Sequence, residues 1–242
     1  EIVVSDWSSD VCSSDLVFID NTTISAGSGS VIIAGASAVT SLDTSGVEIG
    51  SNAVISGRDI QIRGWAGSGS GGNQYGVYSN GQINATNSLL IDGTSATVGG
   101  GETTRIGVLL DSDSSTAVLP GAGPATSLTL TGLSVPSPVT DSASVSIRSG
   151  SVLAGGGAAV QVTGNGGDVE FFGTQNFGGA GSLSITGNSW LVHDGLTTVP
   201  TGGPVTISTQ LGAWFSDTMQ GSPSSVPISA PAGEVVTVGD CC

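Results

Sequence analysis

The feature that most constrains this chain is a short apolar run that alternates with polar residues and ends on a glycine. Alternation with a period of two is typical of a short β-strand that buries one of its faces. One such strand cannot bury its own apolar face, so the runs have to stack on one another. The runs occur in TISAGSGSVIIAG, AVISGRDIQIRG, QINATNSLLIDG, SLTLTG, AVQVTG and SLSITG, and in a degenerate form in PVTISTQ.

The spacing of these runs indicates a repeat. The closing glycines Gly35, Gly64 and Gly93 lie 29 residues apart, and the later ones follow at uneven intervals. Units of about 20 to 40 residues with loops of variable length are typical of a solenoid. A second marker, a Gly-Val pair, precedes some units at Gly46, Gly76 and Gly107.

The fold predicted from this pattern is an all-β parallel β-helix, a single elongated domain with irregular loops over residues 17–218. Each coil of such a fold carries two or three short strands, and each strand pairs with its equivalent in the next coil. The chain is long enough for about eight coils. A β-sandwich is the competing fold, but it needs longer strands joined by regular hairpin turns. Insertions at 64–75 and 110–125 are expected to leave the rod as loops.

The first sixteen residues are excluded from this prediction. The stretch DWSSDVCSSDL, at 6–16, resembles the translated end of a widely used short-read sequencing adapter, residue by residue. The preceding EIVVS fits the same adapter, with two codons in its variable index. We therefore interpret residues 1–16 as adapter-derived, and such segments have to be left out of fold reasoning. The chain does not begin with Met, and we expect it to be an interior piece of a longer protein.

Charge argues against two classes of partner. The chain has no Lys, four Arg and 19 acidic residues, which gives a formal net charge of −15. Binding to nucleic acids or to anionic lipids needs Lys and Arg, so we predict neither. No apolar run is long enough for a membrane span. Cys12, Cys241 and Cys242 leave the body of the chain without a disulfide framework.

Two of the longer units resemble a known family. The segments YGVYSNGQINATNSLLIDGTSA (75–96) and IGVLLDSD to SLTLTGLS (106–134) are similar to the haemagglutinin-type repeats of filamentous haemagglutinin-like adhesins and autotransporter passengers. The shared pattern is Gly-Val-apolar, then Ile-x-Ala, then apolar-x-apolar-x-Gly. The resemblance covers residues 17–210 and is best between Gly46 and Gly187.

The resemblance implies a right-handed parallel β-helix that belongs to a two-partner secretion system of a Gram-negative bacterium. It implies a structural and adhesive rod that is secreted or held on the outer cell surface, where it displays binding loops. The adhesive or toxic regions that such a rod displays would lie elsewhere, and the residues of this piece themselves indicate no catalysis and no cofactor. The partners that follow are host or environmental glycans or surface proteins, together with an outer-membrane secretion partner.

Two alternative functions remain open. Pectin lyase-like enzymes share the β-helix and need clustered acids on one face of the rod, with a basic residue in the lyases. Asp59, Asp92 and Arg63 lie on successive units and are the residues from which such a site would be built. A phage tailspike-type fibre is the other alternative, and it would be an intertwined trimer.

Further candidates for chemistry receive no catalytic, cofactor or metal role. His193, the single His, precedes Asp194, but neighbours along a strand point to opposite faces, and we interpret His193 as a surface-loop residue. Asp111 and Asp113, with Asp92, have the alternating acids of a calcium loop but lack its Gly and its distal Glu.

The aromatic residues of the first half flank a glycine-rich insertion. Trp65, Tyr75 and Tyr78 would either stack on sugars or cover the base of a loop, and we favour the second interpretation. The insertion itself, GSGSGGN (67–73), resembles a phosphate loop but lacks Gly-Lys-Ser/Thr and a following helix.

The aromatic residues of the second half are expected to close the rod. Trp190, Trp214 and Phe215 are predicted to cap the apolar stack near the tail. The tail, residues 219–242, is rich in Pro and Ser and contains one apolar alternation, EVVTVG. We interpret it as a linker or as a further coil.

Overall fold

The computed structural model is all-β. It describes residues 2–5, 17–37, 44–67, 72–95, 102–111, 115–118, 126–134, 141–148, 152–193, 197–200, 203–215, 219–220 and 228–229. These residues form 21 strands and no helix. Every pairing between the strands is parallel, which excludes a β-sandwich built from antiparallel hairpins.

The strands are short at the start and at the end of the chain, and the longest ones cross a corner of the rod. Their bounds are β1 Ile2–Ser5, β2 Val17–Ile19, β3 Thr23–Ser25, β4 Ser30–Ser37, β5 Thr44–Ile49, β6 Val54–Ala66, β7 Gly72–Ser79, β8 Gln82–Ser95, β9 Glu102–Leu110, β10 Ser115–Val118, β11 Ser127–Ser134, β12 Asp141–Ile147, β13 Val152–Ala154, β14 Ala159–Asn165, β15 Asp168–Phe172, β16 Gln175–Asn176, β17 Ser182–His193, β18 Thr197–Thr198, β19 Val205–Phe215, β20 Met219–Gln220 and β21 Ile228–Ser229.

The pairings arrange the strands in three columns. Column 1 contains β2, β5, β7, β9, β12, β15 and the second halves of β17 and β19. Column 2 contains β3, the first halves of β6 and β8, β10, β13, β16, β18 and β20. Column 3 contains β1, β4, the second halves of β6 and β8, β11, β14, the first halves of β17 and β19, and β21.

The described chain passes through columns 1, 2 and 3 in that order eight times, and each passage is one coil. Because every strand pairs with its equivalent in the neighbouring coil, this is the parallel β-helix that the sequence predicts. The right-handed sense of the coil stays a prediction.

The core consists of identical or similar side chains stacked along the rod axis. In column 3, Ile33, Ile62 and Ile91 pair in register, and all three are fully buried. In column 1, Val47 and Val77 form an equivalent stack. Burying a side chain of this size contributes about 1.5–3 kcal/mol. The alternating runs therefore supply one continuous apolar cluster that runs from Val17 to Ile207, through the first seven coils.

The two glycine markers of the sequence meet at one corner of the rod. A Cβ atom at Gly64 would collide with the carbonyl oxygen of Gly76, and one at Gly93 would collide with that of Gly107. The closing glycine of column 3 and the Gly-Val marker of column 1 thus pass each other backbone against backbone. The closing position of column 3 has no room for a Cβ where these backbones meet, which explains why its glycine recurs. The marker position is less strict, because Ser144 occupies it in the fifth coil.

The aromatic residues of the second half do not simply cap the rod. Trp190 is fully buried, and its ring meets that of Phe171 edge to face, with centroids 5.6 Å apart. Ala213 of the next coil pairs with Trp190 in register, so a further coil continues the ladder beyond it. The capping prediction is wrong for Trp190, because the core widens here to hold an aromatic cluster that also includes Phe177. The structure does not describe the side chains of Trp214 and Phe215.

Residues of the excluded segment 1–16 and of the tail 219–242 both contribute strands. Ile2–Ser5 pairs with Val31–Ala34 and extends column 3 at its first coil. An exposed strand edge presents unpaired N–H and C=O groups, so it accepts any extended segment whatever its side chains. In the tail, β20 and β21 continue columns 2 and 3. The remaining residues of 1–16 and 219–242, with Cys12, Cys241 and Cys242, lie outside the description.

Candidate functional site

The outer face of column 3 carries the side chains that alternate with the buried stacks. Successive coils place Ile32, Gln61, Leu90 and Thr129 at one register position of this face, and all four are half-buried. Gln161 follows at the same position in the fifth coil and is exposed. The face is thus a ladder of side chains with one position per coil.

A groove of about 410 Å³ runs across the first four coils of this face. Its floor is formed by the four half-buried side chains named above. Its lip is formed by the residues that begin each strand segment, which are Ser30, Asp59, Ser88 and Ser127. The volume falls within the range of about 300–1,000 Å³ that is usual for ligand sites in proteins.

Asp59 is the charged group at this lip, and it is held by its neighbours. The Ser88 hydroxyl and the Asn87 side-chain amide both donate to its Oδ1, each at 2.6 Å. The Arg58 guanidinium lies 3.7 Å from its Oδ2. The hydrogen bond from Ser88 is the main cause that lowers the pKa of Asp59, and partial burial opposes it. The group is therefore a fixed anion at neutral pH.

The structure places the three residues named for an enzyme site on one outer face, but it pairs only two of them. Arg63 and Asp92 are register partners in neighbouring coils of column 3. Asp59 lies four residues before Arg63 on the same strand, so it shares the outer face. The side chain of Trp65, two residues further along, is 42% exposed on this face. The face thus combines an acid, a base and an aromatic ring.

The aromatic residues around the glycine-rich insertion are separated by the fold. Tyr75 and Tyr78 lie in column 1, with ring centroids 5.4 Å apart, and they pack against a second apolar cluster that contains Leu109. Trp65 stands against Gly67 on column 3. Residues 68–71 of the GSGSGGN insertion lie outside the description.

The acids considered for calcium are also separated. Asp111 follows β9 in column 1, and its Oδ2 accepts a hydrogen bond of 3.1 Å from the Tyr78 hydroxyl. Asp92 lies on column 3, and Asp113 is not among the described residues. Within the described part of the chain, no three His, Cys, Asp or Glu side chains gather as metal ligands.

His193 is not a surface-loop residue, and that interpretation is wrong. It is the last residue of β17, and its ring stacks on its register partner Phe172, with centroids 4.3 Å apart and planes 8° apart. The Arg148 guanidinium lies 4.8 Å from the Phe172 ring. This stack accounts for the position of His193, because π-systems and cations attract one another at such distances. Asp194 lies outside the description.

The groove was not found in the sequence, although a signal for it exists. An alternating strand should carry a polar residue at each outward position, but SVIIAG and SLLIDG carry Ile32 and Leu90 there. Apolar residues that recur at one outward position of neighbouring coils form a contiguous patch, and such a patch is the signal that indicates a binding surface.

The comparisons with known proteins add no relative. Neither a protein-family model, nor a curated protein, nor a solved structure matches the chain. The described residues contain no helix of the length and apolarity that a membrane span needs.

Proposed function

We propose that this chain is a structural and adhesive rod segment of a secreted bacterial surface protein. The observation that carries the proposal is the ladder of eight coils with one apolar core. In a parallel stack each added coil lengthens the rod by a fixed amount. The outer faces of the coils therefore lie at fixed spacings along the rod. The proposed place is outside a Gram-negative cell, after export by an outer-membrane partner, where the rod contacts glycans or surface proteins.

The charge of the chain fits this role. A net charge of −15 keeps a long rod soluble and reduces non-specific association with other acidic surfaces. Specific contacts then have to come from a local site, and the outer face of column 3 offers one with a groove, a fixed carboxylate and the exposed ring of Trp65.

The test is a display experiment. The full chain is fused to an outer-membrane anchor on a bacterium, and attachment of the cells to surfaces coated with glycans or with proteins is counted. The same anchor carrying an unrelated β-helix of equal length is the control. We expect attachment well above the control on at least one coating. Attachment equal to the control on all coatings would contradict the adhesive role.

The alternative of a carbohydrate-active enzyme is favoured by one observation, the register pairing of Arg63 with Asp92 on the outer face that also carries Asp59. Incubation of the purified chain with polygalacturonate and with neutral polysaccharides, followed by measurement of unsaturated products and new reducing ends, separates this alternative from a binding role. The tailspike alternative predicts a trimer, which light scattering of the purified chain detects directly.

A further inference from the structure

We propose that the groove on the outer face of column 3 binds a neutral, extended β-1,4-linked polysaccharide whose chain runs along the rod axis. This inference rests on the adhesive function proposed above and names the class of ligand for that face. Three features of the groove point to it, which are the order of side chains on its floor, the spacing of the coils and the charge at its lip.

The floor alternates between apolar and polar side chains from coil to coil. Ile32 and Leu90 offer aliphatic surface, whereas Gln61 and Thr129 offer an amide and a hydroxyl. The pattern therefore repeats every second coil. Sugars present the same two kinds of surface, because the faces of a pyranose ring carry C–H groups and its edge carries hydroxyls.

The spacing of the coils matches an extended chain of sugars. Neighbouring coils are separated by about 4.8 Å, the spacing of paired strands. This rise is close to the advance of one sugar in an extended β-1,4-linked chain. Successive sugars in such a chain are flipped by half a turn, which exchanges one C–H face for the other and leaves hydroxyls along both edges. Every sugar can therefore offer C–H groups and hydroxyls to the coil beside it, and the groove and the chain share the period of one sugar per coil.

The carboxylate at the lip of the groove determines whether neutral or anionic ligands are favoured. Oδ1 of Asp59 already accepts hydrogen bonds from Asn87 and Ser88, so the carboxylate is fixed in place. Among the residues that the structure describes, its Oδ2 contacts the Arg58 guanidinium alone, at 3.7 Å, and so has lone pairs left for sugar hydroxyls. A fixed anion at this point repels carboxylates, and the acidic chain adds to that effect. The groove is therefore suited to neutral polymers rather than to uronates.

The test uses the purified full chain and three soluble probes of equal length, which are cellohexaose, N-acetylchitohexaose and hexagalacturonate. Affinities are measured by isothermal titration calorimetry. We expect at least one neutral hexamer to bind about tenfold or more tightly than hexagalacturonate. Equal or tighter binding of hexagalacturonate would overturn the inference.

The chain offers a matched pair of variants. Gln61→Trp fills the floor of the groove, whereas Gln161→Trp places the same ring at the same register position beyond the residues that line it. We expect Gln61→Trp to weaken the neutral hexamer by about tenfold or more and Gln161→Trp to leave it nearly unchanged. Equal effects of the two variants would place the binding site elsewhere. Thermal melting of both variants identifies any loss that comes from unfolding.

A second variant tests the lip without changing the floor. Asp59→Asn keeps the size of the side chain and removes its charge, so we expect the preference for neutral over anionic hexamers to shrink about threefold or more. An unchanged preference would show that Asp59 does not select the ligand. If neither neutral hexamer binds while displayed cells still attach to protein-coated surfaces, this inference fails and the adhesive rod stands.

Discussion

At the scale of single residues, the glycine corner is the point where the fold tolerates least change. Gly64 and Gly76 cross backbone against backbone, so a methyl group at Gly64 has no space unless the two strands move apart. We expect Gly64→Ala to lower the free energy of unfolding by about 3 kcal/mol, the upper part of the range for overpacking. Urea denaturation followed by circular dichroism measures the change.

The control for this prediction is another glycine of the same column. The atoms nearest to a Cβ at Gly187 are Cγ2 of Val169 at 3.2 Å and the backbone oxygens of Ser189 and Gly167 at 3.3 and 3.4 Å. Shifts of a few tenths of an ångström relieve these contacts, whereas the clash at Gly64 is much closer, so Gly187→Ala should change stability by less than about 1 kcal/mol. Equal losses in the two variants would mean that the crossing is not what requires Gly64.

Tyr78 supplies a residue-scale prediction on pH. Burial and the neighbouring Asp111 raise the pKa of Tyr78 to about 12. The folded chain then holds this proton more tightly than the unfolded chain, so the stability contribution is complete below about pH 10 and is lost as the pH rises towards 12. Denaturation at several alkaline pH values measures this loss. In Tyr78→Phe that part of the pH dependence should disappear, and a slope equal to that of the parent would contradict the assignment.

At the scale of the element, column 2 is the least apolar of the three stacks. Thr116 is buried between its register partners Ile83 and Val152, and its hydroxyl has no hydrogen-bond partner. Removing an unsatisfied buried hydroxyl while keeping the shape of the side chain is favourable. We therefore expect Thr116→Val to raise the free energy of unfolding by about 1 kcal/mol.

The matched control for Thr116 is a threonine on the outside of the rod. Thr186 is exposed on column 3, where its hydroxyl meets water. Thr186→Val should leave stability within about 0.5 kcal/mol of the parent, the usual range for surface changes. A destabilised Thr116→Val variant would indicate that a buried water satisfies the hydroxyl.

At the scale of the whole molecule, the coils are interchangeable units. Ser45 and Tyr75 are register partners, so removal of residues 46–75 joins Ser45 to Gly76 and deletes one complete coil. The buried stacks then close over the gap, because the neighbouring coils carry Ile and Val at the same positions. We expect a folded rod that is shorter by about 4.8 Å. Circular dichroism and small-angle scattering measure fold and length.

A deletion out of phase with the coils should behave differently. Removal of residues 46–60 joins Ser45 to Gln61 and places a column 3 strand after the beginning of a column 1 strand. The ladders on both sides then lose their partners, and we expect insoluble or unfolded protein. A soluble, folded product would mean that the coils are not the units of stability.

Several interpretations made from the sequence failed for reasons that belong to tertiary structure. From the sequence, His193 is interpreted as a surface-loop residue because its neighbour Asp194 would point to the opposite face of a strand, yet His193 ends a long strand and stacks on Phe172. Trp190 is predicted to cap the apolar core because it is large and close to the tail, yet it lies fully buried inside the core against Phe171. In both cases the partner residue lies in another coil. The local sequence does not show which residues of neighbouring coils lie close together.

The sequence by itself determined the strand type and the inward-facing residues, because alternation with a period of two assigns each side chain to a face. It also determined that the units stack, because no unit can bury its apolar face alone. The closing glycines also indicated the register of column 3, because Gly35, Gly64, Gly93, Gly132 and Gly164 are register partners. Only the tertiary structure decided that Ser115–Val118 forms a strand inside the insertion predicted to be a loop, and that the outer side chains of column 3 leave a groove. Both depend on the parallel ladder of backbone hydrogen bonds between coils, which loops of unequal length hide in the sequence.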